Sequence, residues 1–252
     1  MTAEEPSGYH ALMDATRAHP EGYEPHIGES RQYWRDIILG VNDGLVSMFL
    51  LVVGVVGGGL DISQVLLTGV AGALAGAVSM GAGEYLATKS QDEVLAAEME
   101  LERDHIVLFQ DDELEQLRGF FADMGVKEEH LQGVMDGFEN NDEALLNAMG
   151  ALEFGFVDSE RRSPLLAMAA SSLLFLAGSL PSVIPFAIFN DVRTALIWAT
   201  ALAITGLFLV GVVKASVSRT SWVKSGLENL VIAGIGGVLA WLIGRAVGGT
   251  LA

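Results

Sequence analysis

At 252 residues the chain could form one ordinary soluble domain or two small ones, but 51% of it is apolar, 30 residues are glycine and the mean hydropathy is +0.42, against a formal net charge of −18. Charge and apolarity are segregated: residues 92–160 hold twenty Asp/Glu against the three bases Arg103, Arg118 and Lys127, a local net of −17. Such a segment repels nucleic acid and attracts cations, and the absence of cysteine excludes disulfides, thiolate metal sites and Cys nucleophiles.

Residues 1–30 are polar and read as a mobile arm, in which His10, His19 and His26 are incidental. The arm lacks a basic stretch followed by an apolar core, so it is not a cleaved signal peptide. Ile37–Leu60 is the first apolar run, long enough for a hydrocarbon core that needs roughly 20 residues. A short turn at Asp61–Ser63 leads into a second run, Val65–Ala87. The acidic segment follows and reads as helices: Asp92–Gln110 continuing the second span, then Glu113–Asp123, Lys127–Phe138 and a last one from Asp142. Three more apolar runs close the chain, Leu165–Phe189, Ala195–Val213 and Leu227–Val247, the first of them expected to break at Pro181 and Pro185. The expectation is an all-α polytopic membrane protein of five spans with a helical insertion between the second and third. It divides into an arm (1–30), spans 1–2 (31–90), an acidic helical domain (91–160) and spans 3–5 (161–252).

Basic residues set the orientation. Arg31, Arg35, Lys89, Arg161, Arg162, Lys214, Arg219 and Lys224 flank the spans on one side, while only Arg193 and Arg245 lie on the other. This places the N-terminus and the acidic segment in the cytoplasm and the C-terminus outside. Glycines crowd the second and fifth spans at three- and four-residue spacing, which suits close helix packing within the chain or a contact between two copies.

Asp43 is the most informative residue. It lies two turns past Asp36, about 10 Å into the first span at 1.5 Å per residue. An ionisable group there marks a pathway or partner, although capping by Asn42 and Ser47 would also account for it. Met80 and Glu84 share a face of the second helix, and mixed oxygen and sulfur ligation favours a transition metal. Asp61 and Asp191 fall in outer turns and read as solvated. In the insertion, Glu98, Glu102 and His105 form one stripe. Glu102 and His105 make a Glu-x-x-His pair that can aim carboxylate and imidazole at one ion. Glu113 comes eight residues later, and Met149 shares a helix face with Glu153. A charge run is usually a solvated face, so these pairs gain weight only by recurring on separate helices. His130 has no such partner.

Two motifs carry a resemblance. The stretch Arg35-Asp36-Ile37-Ile38-Leu39-Gly40-Val41-Asn42-Asp43-Gly44-Leu45 and the stretch Ser79-Met80-Gly81-Ala82-Gly83-Glu84-Tyr85-Leu86, running on through Lys89-Ser90-Gln91, resemble the vacuolar iron transporter family over residues 31–250. The resemblance implies a homodimer of five-helix protomers with the path at the dimer axis, exporting Fe2+ from the cytosol in exchange for protons. It puts Asp43, Met80 and Glu84 on the translocation pathway. It also assigns a domain-bound metal site to Glu102, position 105, Glu113, position 116, Met149 and Glu153. His105 and Gln116 stand where the family pattern has Glu; His remains a competent ligand for Fe2+, neutral Gln a poor one. The resemblance thus implies a transporter of Fe2+ or Mn2+, not an enzyme, with no prosthetic group. Its partners would be the metal, protons, the lipid bilayer and a second copy, and its place a prokaryotic plasma membrane or, in a eukaryote, the vacuolar one. The competing readings are a membrane-anchored metal sensor or buffer and a membrane di-iron enzyme, the latter supported by a single Glu-x-x-His pair where two are normal.

Overall fold

The computed structural model describes residues 30–155 and 162–251, so the expected arm (apart from Ser30), Arg161 and residues 156–160 lie outside the described residues. Those residues form eight α-helices and no strand: α1 Ser30–Gly57, α2 Ile62–Leu108, α3 Gln110–Asp123, α4 Glu128–Met135, α5 Asp142–Leu152, α6 Pro164–Ile188, α7 Val192–Ser218 and α8 Trp222–Leu251. Five of them (α1, α2, α6, α7 and α8) are long and apolar enough to cross a membrane. The all-α, five-span expectation holds.

The turn between α1 and α2 is built by local chemistry. Gly59, at φ 87°, takes a left-handed conformation open to glycine. The Leu60 N–H then donates to the Val55 carbonyl at 3.3 Å, closing α1. Asp61 caps α2, its carboxylate accepting from the Ser63 and Gln64 N–H groups, while the Gln64 side chain accepts in return from the Asp61 N–H. Asp61 is therefore an N-cap as well as exposed. Asp191 does the same for α7 through Thr194, whose hydroxyl and N–H hold the carboxyl below its ordinary value.

α2 has 47 residues and is about 70 Å long, more than twice a hydrocarbon core of roughly 30 Å. Its first half crosses the bundle; its second half leaves it and becomes one wall of the insertion. α6 runs unbroken through Pro181 and Pro185, correcting the expected break. Each proline withholds an N–H from the turn before it, but α6 packs along one side against α1, α2 and α7, and those contacts hold its course. The Ser179 hydroxyl donates back to the Phe175 carbonyl at 2.7 Å in the same stretch.

Within the bundle, α1 packs against α2, α6, α7 and α8, and α2 leans chiefly on α6. Close approach depends on glycine. A Cβ on Gly44 would lie 2.2 Å from the Phe175 carbonyl oxygen, and one on Gly178 2.3 Å from that of Val41, so α1 and α6 cross backbone to backbone. α1 and α8 do likewise where Gly244 meets the Gly54 carbonyl. Most glycines in the second and fifth spans thus serve packing within the chain, while Gly83 and Gly234 face open space. The outward faces carry large exposed apolar residues such as Leu67, Val78, Leu173 and Ile235, as a lipid-facing surface requires.

The insertion has its own core. Ile106 of α2, Leu117 of α3, Met135 of α4 and Leu145, Leu146 and Met149 of α5 pack together, with Met99, Leu114 and Phe120 against them. This small four-helix assembly gathers carboxylates that a single helix would spread over a solvated face.

Candidate functional site

Two polar constellations stand out, one in the insertion and one at the end of the bundle facing it. In the insertion, Glu102 and His105 sit one turn apart on α2, and only Phe109 separates α2 from α3, which carries Glu113 in its first turn. That tight corner folds Glu113 back, so one ligand atom each from Glu102, His105 and Glu113 lies within 4.8 Å of the others. Nδ1 of His105 is 3.4 Å from a Glu113 oxygen. Glu102 and Glu113 are both buried.

Each carboxylate keeps one buried oxygen without a hydrogen-bond partner, Oε1 on Glu102 and Oε2 on Glu113. Native proteins rarely leave such atoms unsatisfied. Burial, the negative charge of Glu113 and that of Glu153 push the Glu102 carboxyl up from 4.5 to about 7, against a lowering by His105. The arrangement stores repulsion that a divalent cation would relieve, and an oxygen–nitrogen donor set suits a first-row transition metal.

The remaining candidates of this site are placed less uniformly. Glu153 caps α5 and is exposed, yet lies close enough for its charge to act on Glu102. Met149 is fully buried within the insertion's apolar core. Gln116 is exposed, one turn beyond Glu113 on α3, and Glu98, on the same stripe as Glu102, is exposed as well.

In the bundle, Asp43 is half-buried on α1 and accepts a 2.8 Å hydrogen bond from the Ser47 hydroxyl. Ser47 thus supplies the local partner that the alternative capping reading expected, while the neighbouring Asn42 keeps a buried Oδ1 without a partner. Met80 packs beside the cluster of Met48, Ala73, Ala77, Phe175 and Val183. One turn on, Glu84 enters an ionic group: Arg162 lies 3.8 Å from it and also pairs with buried Asp36, and Arg35 lies 4.0 Å from Glu84 and 3.4 Å from Asp36. In the sequence, Asp36 measures depth and stands in the first motif, and Arg162 serves only to orient the chain. Their pairing spans 126 positions, and no local spacing announces it.

The VIT family model matches residues 34–245, which takes in every residue of both constellations. The chain belongs to the VIT family. Among its relatives, vacuolar iron transporter 1 of Oryza sativa subsp. japonica is 27% identical over 95% of this chain and 96% of its own length. Vacuolar iron transporter 1 of Eucalyptus grandis is 30% identical over 84% of this chain and 86% of its own. Protein CCC1 of Saccharomyces cerevisiae is 27% identical over 84% and 68%. Within this VIT chain, the imidazole of His105 stands in the cluster at a position where the resemblance implies a carboxylate.

Proposed function

We propose that this VIT-family protein carries Fe2+, or Mn2+, out of the cytosol in exchange for protons. Metal is gathered at Glu102, His105 and Glu113 and passed by Glu84 and Met80 to Asp43. The observation that carries the reading is the pair of orphaned, buried carboxylate oxygens beside His105, a deficit that a cation would fill, with Glu102 on the long helix that also forms the second span and Glu113 on the helix that follows it. The relatives named as iron transporters support the choice of metal.

The mechanism rests on charge. A divalent ion entering the insertion displaces the proton that Glu102 holds near neutrality and neutralises the Glu102–Glu113 repulsion. Met80 offers a soft ligand on the α2 face that also bears Glu84, and Asp43 a hard one deeper in α1. An intramembrane carboxylate exchanges a metal ion for a proton without leaving a bare charge in a low-dielectric medium. Protons returning to Asp43 release the ion outside. The basic flanks favour an insertion on the cytosolic side. The membrane is the plasma membrane of a prokaryotic host or the vacuolar membrane of a eukaryotic one, and a homodimer is the working unit.

Protein reconstituted in sealed liposomes, with a metal-quenched dye and a pH dye trapped inside, tests the reading. Metal entry should rise with an imposed pH gradient, and protons should leave as metal enters. Binding of metal without passage into the lumen would defeat the transport reading and leave a membrane-anchored buffer.

A further inference from the structure

The ionic group at the end of the bundle holds an internal cation, Arg162, between two carboxylates, one of which, Glu84, lies on the proposed route of the metal. α1 and α2 run antiparallel, so Asp36 near the start of α1 and Glu84 near the end of the α2 span lie at the same membrane face, the one from which α2 extends into the insertion. Asp36 is 6% exposed, Glu84 15% and Arg162 14%. The guanidinium of Arg162 reaches both carboxylates, and the Tyr33 ring lies against it with its centroid 5.6 Å away.

We propose that Arg162 is a tethered plug: its guanidinium occupies Glu84 and Asp36 at the pathway mouth, and an entering metal ion displaces it. The plug rests on the transport reading, in which Glu84 lies on the route of the ion. Three observations carry it. Two carboxylates withdrawn from water need a cation, because removing one partner of a buried pair leaves an uncompensated charge. Arg162 precedes the first residue of α6 and belongs to no helix, whereas Asp36 and Glu84 are fixed in helix interiors; the cation is thus the member free to leave. Arg35, 66% exposed at the rim and already within 4.0 Å of both carboxylates, remains to hold Asp36 once the plug has gone. Glu84 is one turn closer to the insertion than Met80, so the plug sits ahead of the first soft ligand on the route.

The test is the initial rate of Mn2+ entry into proteoliposomes against Mn2+ concentration, for the full-length parent, Arg162→Gln and Arg162→Lys. Arg162→Gln removes the competitor and should lower the KM for metal at least about threefold. Arg162→Lys keeps the charge but cannot bridge two carboxylates as a planar fork does; its KM should fall between the two. If Arg162→Gln does not fold, the lysine variant alone decides, by a KM below the parent's. Arg162 as a mere brace would lower the maximal rate and the thermal midpoint with KM unchanged or raised, and that result overturns the plug. No saturable entry by the parent defeats the transport reading, and the plug with it; saturable parent entry with unmoved KM in the variants defeats the plug alone.

Discussion

Glu102 carries its negative charge at a cost, because it is buried and faces Glu113, and its carboxyl titrates near 7 where an unfolded chain would return it to 4.5. The charged form is the one folding penalises. The penalty is therefore complete above about 7, declines as pH falls through that value and is gone below 4.5. In metal-free protein, Glu102→Gln should unfold at a higher temperature than the parent at about pH 8, with the gap closing on acidification. Thermal unfolding in detergent across that range reads it, and a gap that widens on acidification contradicts it. The Glu102–His105 pair was legible in the sequence because three residues on a helix put two side chains on one face. Glu113 joined them because one residue links the two helices. Asp36 and Arg162 were not legible as partners, since only the packing of α1 against α6 brings them together. Met149, which shares a helix face with Glu153 and which the resemblance makes a ligand, lies in the insertion's apolar core, a burial that helix period alone does not reveal.

At the scale of elements, apolar runs of about the length a bilayer core needs revealed all five spans, and the lack of a period-2 pattern revealed the helices of the insertion. Pro181 and Pro185 misled because the rule that proline ends a helix assumes a solvent-exposed chain able to turn away. A span set in lipid and packed on its neighbours cannot turn away without exposing backbone, so α6 continues. Glycine marked close packing but not which helices meet. Gly44→Ala should destabilise the fold by about 2 kcal/mol or more, since its Cβ would meet the Phe175 carbonyl at 2.2 Å and two backbones would have to part. Gly83→Ala, which meets nothing within 4 Å, should be neutral or slightly stabilising. Detergent melts of the two variants side by side distinguish a packing role from a general intolerance of alanine.

For the whole molecule, loading from the cytosol requires that the insertion and the turn between α6 and α7 lie on opposite sides of the membrane. The chain has no cysteine, so single substitutions report topology without background. In intact cells an impermeant maleimide should label Asp191→Cys and leave Glu129→Cys unlabelled until the cells are opened; the reverse pattern would put the acidic helices on the wrong side for loading. The central claim is that a metal ion crosses by way of the carboxylate held inside α1. Its most direct test is the initial rate of Fe2+ entry into proteoliposomes under an imposed pH gradient, parent against Asp43→Asn. Passage by way of Asp43 predicts saturable entry by the parent and a fall in Asp43→Asn to the rate of protein-free liposomes. Equal rates for the two proteins would show that the ion does not pass Asp43.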